Sequence, residues 1–141
     1  MTPRQIMLVQ QSFAKVAPIA DKAATLFYDR VFETAPQVRA LFPDDMTEQK
    51  RKLMATLAVV VNGLSNLPAV LPAASALAKR HVAYGVVADH YPVVGAALLW
   101  TLEKGLGAGW NPELAAAWAA AYTTLADFMI AEAYGRTEAA E

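Results

Sequence analysis

The side chains that could do chemistry in this 141-residue chain are few, and histidine is the scarcest of them. The two histidines, His81 and His90, stand nine positions apart, and the chain contains no cysteine. Zinc sites collect closely spaced histidines and cysteines, and iron–sulfur clusters need thiolates. There is also no Gly-x-Ser-x-Gly motif to present a serine nucleophile. The sequence therefore gives no support to dedicated zinc, thiolate or seryl-hydrolase chemistry.

His81 has the more informative position of the two histidines. On a helix it shares an apolar face with Leu77 and Ala78, which precede it by four and three residues. Lys79 and Arg80 then point outward, where they either remain solvated or meet acidic groups of a ligand. An isolated histidine on such a face is often a core residue satisfied by one hydrogen bond, so its neighbours decide the interpretation. His90, at an expected helix start, is interpreted as a capping or surface residue.

Two polar side chains are placed to share an apolar space with His81. Tyr28 lies on the expected inner face of a second helix, and Gln49 lies four residues before Leu53 on one face of a later helix. Taken one by one, Tyr28 has the pattern of a core aromatic and Gln49 that of a solvent-facing residue. Together, an imidazole, a phenol and an amide describe a site for a flat apolar cofactor with one axial bond, and haem fits this description. Leu53 and Phe42 would form its dry walls.

The elements that must position these residues are predicted to be helices throughout. Apolar residues recur at helical spacing, and the sustained alternation of half-buried strands is missing. The first predicted helix starts at Thr2-Pro3 and ends near Pro18, and the second runs from about Asp21 to a break at Pro36. The third opens with a capping box at Asp44-Asp45 and Glu48, and the fourth is a short helix that has Pro72 in its first turn and ends at His81. The fifth opens at Asp89 and Pro92, and the sixth runs from Asn111-Pro112 and frays after Ala133.

Composition and charge limit the class of protein. Hydrophobic residues make up 56% of the chain and charged residues 18%, which is typical of a packed globular domain. The net charge of -1 supplies no positive field for nucleic acid or anionic lipid. The N-terminus has no basic segment followed by a long apolar run, and no later apolar stretch approaches the roughly 20 residues that span a bilayer. We expect a single domain over residues 1–141, cytoplasmic, with neither nucleic acid nor membrane as partner.

The order and spacing of several motifs resemble those of one known family. The motifs are Leu26-Phe27-Tyr28-Asp29-Arg30-Val31-Phe32, Pro36, Leu41-Phe42-Pro43, Gln49 with Leu53, Lys79-Arg80-His81, Tyr91-Pro92-Val93-Val94-Gly95, Ala117-Trp118 and Tyr122. The chain resembles, over nearly its whole length, the globin domain of bacterial flavohaemoglobins and their single-domain relatives. The resemblance implies an all-α globin fold, with helices lettered A, B, C, E, F, G and H packed around a haem.

The resemblance also implies a role for individual residues. It makes His81 the proximal iron ligand and Tyr28 and Gln49 the distal, catalytic hydrogen-bonding residues. The implied haem contacts are Phe42, Leu53, Tyr91 and Val94, and Lys79 and Arg80 are placed to meet the propionates.

One position departs from the family pattern. In flavohaemoglobins the proximal tyrosine, here Tyr91, pairs with a glutamate late in the last helix. An ungapped alignment places Gly135 there, with Glu132 nearly one turn earlier. Because a carboxylate at this point makes the imidazole more electron-rich and favours O–O cleavage, its displacement argues against peroxidase-like activation.

The function implied by the resemblance is that of a haem protein with a non-covalent b-type haem and O2, NO and CO as ligands. Distal hydrogen bonds predict high oxygen affinity and NO detoxification by dioxygenation. The flavin and nicotinamide domains of flavohaemoglobins cannot fit in the residues after Ala133, so a separate reductase is implied as a partner. Three alternatives stay open: oxygen storage or scavenging, ligand sensing, and a helical interaction module whose histidine is merely buried.

Overall fold

The structure is a computed structural model in which residues 1–134 are described, and this part of the chain contains six α-helices and no strand. The α-helices are α1 (Pro3–Val16), α2 (Ala20–Thr34), α3 (Thr47–Gly63), α4 (Leu67–Ala83), α5 (His90–Leu106) and α6 (Pro112–Tyr134). Four 3₁₀ segments lie between them, at Ala17–Ile19, Pro36–Leu41, Leu64–Asn66 and Gly107–Gly109. The all-α expectation is confirmed.

Two helix starts form as their sequence signals predict. At α1 the Gln5 amide donates to the Thr2 hydroxyl over 3.1 Å, and the Gln5 side chain accepts from the Thr2 amide over 3.0 Å. This reciprocal pair is a capping box, with Pro3 in the first turn. At α6 the Asn111 side chain accepts from the Leu114 amide over 2.9 Å. Both signals are local, so sequence alone locates these ends.

The start of α3 differs from the predicted capping box. The helix begins at Thr47, and the Asp45 carboxylate accepts from the Thr47 amide over 3.0 Å. Glu48 is drawn instead to Arg51, one turn further along the helix, over 2.8 Å. The box does not form because the N-cap is Met46, which puts Glu48 at the second helical position instead of the third.

The start of α4 also differs from the prediction of a short helix opening at Pro72. The helix begins at Leu67, so Pro68 occupies the first turn and Pro72 lies inside the helix. Pro72 has no N–H to give the Pro68 carbonyl, which would normally interrupt a helix. Both prolines are exposed, so water can satisfy that carbonyl and the helix continues to Ala83.

The core has a large and a small part. In the large part, α2 crosses α5 and α1 packs along α6, with a buried hydrogen bond of 2.8 Å from the Trp118 indole to the Ser12 hydroxyl. The small part joins α4, the start of α5 and the end of α6 around Ala78, Tyr91 and Met129. By contrast, Val61 is the one buried side chain of α3 in the described structure. The apolar face of α3 is therefore only half covered by protein.

Two helical stretches pass a length and composition test for a membrane span. They are Thr47–Ala83, which comprises α3, a 3₁₀ turn and α4, and Pro112–Tyr134, which is α6. The expectation that no apolar stretch reaches this length was wrong, because no charged residue lies between Lys52 and Lys79. Core helices of soluble proteins pass the same test, and α6 packs on α1, α4 and α5, so the finding carries little weight.

Candidate functional site

Tyr28 is held on the inner face of α2 by aromatic contacts on three sides. Its ring lies edge-on to Phe27 at 5.0 Å and to Phe42 at 5.5 Å between centroids, and it stacks on Phe32 at 6.0 Å. Only 5% of Tyr28 is exposed. Burial raises the pKa of its phenol above the ordinary 10.0, so the hydroxyl keeps its proton at neutral pH. Tyr28 is therefore a fixed hydroxyl in an apolar wall.

Gln49 lies in the first turn of α3 and reaches across to Tyr28. Its side-chain amide donates to the Tyr28 hydroxyl over 3.1 Å, and Gln49 itself is half-buried. No other hydrogen bond of the Tyr28 hydroxyl occurs within residues 1–134, so its own proton remains available to an acceptor. The structure thus brings together the two polar residues that sequence reasoning placed in one space.

Leu53 follows Gln49 by one turn of α3 and is half-buried against the core. With Leu57, Phe27 and Trp118 it lines a wholly apolar cavity of about 20 Å³ between α1, α2, α3, α5 and α6. Phe42 is also half-buried and packs edge-on against Phe32 at 5.5 Å. These two side chains occupy the apolar surroundings expected of dry walls.

His81 projects from the last turn of α4 and is half-buried. Its Nδ1 lies 2.8 Å from the carbonyl oxygen of Leu77, so the N–H of the ring is donated there and Nε2 keeps its lone pair. Burial lowers the pKa of His81, more than the Leu77 carbonyl raises it, and the nearby Arg80 lowers it further. A neutral imidazole with a free Nε2 is the form that binds a transition metal.

Tyr91, in the first turn of α5, stacks on the His81 imidazole with centroids 6.4 Å apart and planes 28° apart. It is 93% buried, because only 7% is exposed. Its hydroxyl has no hydrogen-bond partner among the described residues. Such an orphaned buried group costs about 1–3 kcal/mol unless a ligand or water satisfies it.

Glu132 does not supply the carboxylate that the resemblance places beside Tyr91. It is exposed, and its carboxylate accepts from the Ser75 hydroxyl on α4 over 2.9 Å. The prediction for Gly135 lies outside the described residues. Within residues 1–134, neither Tyr91 nor His81 therefore has a carboxylate partner.

Tyr134, at the end of α6, ties down the corner that follows His81. Its hydroxyl donates to the Val86 carbonyl over 2.5 Å, and the Val86 amide donates to the His81 carbonyl over 3.0 Å. Gly85 allows the corner to turn, with a φ of 93°. Sequence reasoning missed Tyr134 because no local pattern links residue 134 to residue 86.

Gly95 leaves space for the ring of Tyr122, whose hydroxyl makes a hydrogen bond on the same side of the molecule as Tyr134. A Cβ atom at Gly95 would lie 2.6 Å from the Tyr122 ring, so only glycine lets the ring pack there. The Tyr122 hydroxyl donates to the Tyr91 carbonyl over 2.6 Å. Val94 is half-buried one turn after Tyr91, while Lys79 and Arg80 are exposed as predicted.

The described residues fit a haem in three respects. His81 offers an Nε2 that keeps its lone pair, and the Tyr91 ring stacked on the imidazole carries a hydroxyl with no partner among the described residues. The half-covered apolar face of α3 needs a further apolar surface to bury it. Tyr28 and Gln49 add hydrogen-bond donors on α2 and α3. A flat apolar group with one axial bond would cover the face of α3 and use the Nε2 of His81, and a small ligand bound to it would accept from Tyr28.

Comparison with known proteins places the chain in a family. A family model described as Globin matches residues 25–129. The flavohemoprotein of Rhodopirellula baltica is 30% identical over 133 residues, covering 92% of this chain and 33% of that protein. The flavohemoprotein of Bordetella parapertussis is 36% identical over 107 residues, covering 74% of this chain and 27% of that protein. The chain therefore spans a third or less of the length of these curated relatives.

Solved structures give the same result. A bacterial globin from Campylobacter jejuni superposes with a TM-score of 0.84 at 24% identity, covering 97% of this chain and 99% of that one, and shows the shared fold. An engineered carbene transferase, derived from a candidate nitric oxide dioxygenase of Rhodothermus marinus, superposes with a TM-score of 0.86 at 27% identity, covering 100% and 99%. The family and these relatives imply a haem cofactor. This chain belongs to the globin family.

Proposed function

We propose that this chain holds one non-covalent b-type haem through His81, binds O2 tightly beside Tyr28 and Gln49, and converts NO to nitrate with electrons from a separate reductase. The overall reaction combines NO, O2 and one electron to give nitrate. The observation that carries the proposal is the hydrogen bond of 3.1 Å from Gln49 to Tyr28, which leaves the phenol proton free in an apolar wall. The flavohemoprotein relatives and the candidate nitric oxide dioxygenase support it.

A bound haem would be held by the His81 imidazole and would supply an iron that binds a diatomic gas. Tyr28 and Gln49 supply the electrostatics on the gas-binding side. A donor that is already oriented and desolvated stabilises developing negative charge without reorganising. The three aromatic contacts of Tyr28 hold its ring, and Gln49 holds its oxygen, so the free O–H is directed rather than rotating.

These donors predict slow release of O2, which distinguishes the proposal from simple oxygen delivery. A hydrogen bond to a charged acceptor contributes about 1.5–3 kcal/mol, which is roughly a 10- to 150-fold slower escape. A gas held for so long is of little use to a carrier, but it remains in place to react with NO.

His81 supports binding more than oxygen activation. Its Nδ1 hydrogen goes to the neutral carbonyl of Leu77, and no carboxylate among residues 1–134 bonds its ring. A carbonyl acceptor makes an imidazole less electron-rich than a carboxylate does. The proximal side therefore favours retention of the gas over cleavage of its O–O bond.

Single-turnover mixing tests the proposal. Reduced protein equilibrated with O2 is mixed with NO in a stopped-flow instrument, and nitrate is measured against protein. We expect about one nitrate per haem in the absence of a reductant. With NADH and a flavin reductase added, we expect nitrate to exceed the protein concentration and to rise with each further addition of NO.

The other functions predict different results in the same assay. A stoichiometric scavenger gives one nitrate per haem and no more, even when a reductase that restores the reduced spectrum is present. An oxygen store also gives about one nitrate per haem, because NO reacts with bound O2, but it releases O2 quickly and does not turn over. A sensor likewise does not turn over, and size-exclusion chromatography would show a change in its state of association when the gas binds. Nitrate that stays at one per haem with the reductase present would contradict catalytic dioxygenation.

A further inference from the structure

Three consecutive main-chain carbonyls converge on one side chain at the corner that precedes α3. The Arg39 guanidinium donates to the carbonyl oxygens of Phe42 over 3.3 Å, Pro43 over 2.9 Å and Asp44 over 3.2 Å. In return the Phe42 amide donates to the Arg39 carbonyl over 3.1 Å. No carboxylate within residues 1–134 forms an ion pair with Arg39. Its charge is therefore directed at the main chain of this corner.

The same guanidinium is held in place by an aromatic ring of α2. Its central carbon lies 5.1 Å from the centroid of Phe32, a distance typical of a cation–π contact. Phe32 in turn packs on both Phe42 and Tyr28. Arg39 thus joins the corner to the aromatic cluster that surrounds the Tyr28 ring.

We propose that Arg39 is a positioning residue of the gas-binding side. By bonding the carbonyls of residues 42–44, it fixes the corner that positions Phe42 and the start of α3. Because Gln49 lies in the first turn of α3, its side-chain amide is positioned as well. The proposal rests on the proposed function, which places O2 beside Tyr28 and Gln49, and on the haem contact of Phe42 that the family resemblance implies.

The physical reason is that, between Phe42 and Met46, which pack against the core, the corner has little else to hold it. Residues 43–45 are exposed, and the bond from the Thr47 amide to Asp45 is confined to the corner itself. A planar guanidinium can bond several carbonyls at fixed angles, which a lysine ammonium on a flexible stem cannot reproduce. Without Arg39 the three carbonyls would turn to water, and the chain between Phe42 and Gln49 would sample several conformations.

Arg30 provides a matched control on α2. It also lies over an aromatic ring, with its central carbon 5.0 Å from the Trp100 centroid, and it is also half-buried. It pairs with Glu33 over 2.7 Å and bonds no carbonyl of the corner. Substitution of Arg30 removes a cation–π contact and an ion pair but no bond to the corner, so the carbonyl bonds are the loss specific to the Arg39 variants.

The experiment compares Arg39→Gln and Arg39→Lys with Arg30→Gln and Arg30→Lys in the haem-loaded protein. Haem transfer to an excess of apomyoglobin gives the haem dissociation rate, and amide hydrogen exchange reports the mobility of residues 42–49. We expect Arg39→Gln to release haem roughly tenfold faster, as loss of bonds to a charged group implies. Arg39→Lys should release haem at an intermediate rate, and the Arg30 variants should stay within about twofold of the parent.

Hydrogen exchange separates positioning from general destabilisation. We expect exchange to accelerate at residues 42–49 in the Arg39 variants, with α6 unchanged. Equal haem dissociation rates in the Arg39 and Arg30 variants would overturn the proposal, as would faster haem loss without faster exchange in the corner. If Arg39→Gln does not fold, the comparison of Arg39→Lys with Arg30→Lys decides. Failure of the proposed function itself would appear as unchanged haem content after substitution of His81, which these variants do not affect.

Discussion

The two sides of the candidate haem pocket satisfy their polar groups in different ways. On the gas-binding side, Gln49 bonds the Tyr28 hydroxyl, and both side chains come from helices that meet in the large core. On the proximal side, His81 bonds a main-chain carbonyl of its own helix, and the Tyr91 hydroxyl beside it has no partner among the described residues. The Tyr28 hydroxyl is therefore oriented by a neighbour, whereas the Tyr91 hydroxyl has no acceptor within residues 1–134.

This difference indicates which side of the pocket determines how a bound ligand reacts. A protonated phenol and an amide can stabilise negative charge on a small ligand. A histidine held by a neutral carbonyl exerts little electronic push on a metal. On the proposed function, the chain therefore has its chemical specificity on the gas-binding side, while the proximal side chiefly holds the imidazole in place.

The largest expected effect belongs to the proximal side. His81→Ala removes the imidazole that the proposed function assigns to the haem iron, so we expect the purified, folded protein to lose the Soret band and its pigment. The haem content per protein, measured by pyridine haemochrome, checks this. His90→Ala is the control, because His90 accepts from the Val87 amide over 3.2 Å and should leave the spectrum unchanged. Full pigment content with an unaltered spectrum in His81→Ala would mean that His81 does not bind the haem, and the contrast between the two sides would no longer hold.

A large effect on ligand release is expected from the other side. Tyr28→Phe removes the free donor, and we expect O2 to dissociate roughly 10- to 150-fold faster, as loss of about 1.5–3 kcal/mol implies. Stopped-flow displacement of O2 by CO measures the rate. Tyr122→Phe removes the hydroxyl of a half-buried tyrosine that bonds the Tyr91 carbonyl, and it should destabilise the protein without altering O2 release. Similar release rates in the two variants would mean that the donors are not on the gas-binding side.

A smaller change in the same direction is expected from Gln49→Leu. Gln49 orients the Tyr28 oxygen, so its loss should cost about 1 kcal/mol and accelerate O2 release about fivefold. Gln10→Leu is the matched control, since the Gln10 amide donates to the Val61 carbonyl over 3.0 Å. If Gln49→Leu releases O2 no faster than Gln10→Leu, the amide has no part in holding the ligand.

A modest, purely structural effect is expected from Tyr134→Phe. Loss of its bond to the Val86 carbonyl should lower the free energy of unfolding by about 1 kcal/mol. Hydrogen exchange should accelerate at residues 84–90, while O2 release changes less than about twofold. Tyr84→Phe, at a residue that is 60% exposed, should change none of these. A large change in O2 release in Tyr134→Phe would show that the proximal corner controls the ligand after all.

The smallest expected effect is that of pH on the gas-binding side. Burial raises the pKa of Tyr28 above 10.0, so the folded state retains this proton at a pH where the unfolded chain would lose it. Its contribution to stability is then complete below about pH 10 and is lost as pH rises through the raised value. We expect the O2 release rate to stay constant from about pH 6 to 9. A rise within that range that Tyr28→Phe abolishes would contradict the raised pKa.

Sequence reasoning succeeded where its signal was local or periodic. The capping box at Thr2, the cap at Asn111 and the apolar face shared by Leu77, Ala78 and His81 depend on residues within one turn of each other. It failed at the start of α4, where Pro72 was taken as a first-turn proline. The α4 error arose because exposure of Pro68 and Pro72 to water is a tertiary property that proline spacing does not contain.

The sequence by itself determined the helical class, the scarcity of metal-binding side chains and the family pattern that singles out Tyr28, Gln49 and His81. Only the tertiary structure decided which hydroxyls are paired. In it, Gln49 bonds Tyr28, Glu132 bonds Ser75, and the Tyr91 hydroxyl has no partner among the described residues. The physical reason is that a hydrogen bond depends on ångström distances between helices far apart in the chain, whereas helix formation depends on neighbours three or four residues away.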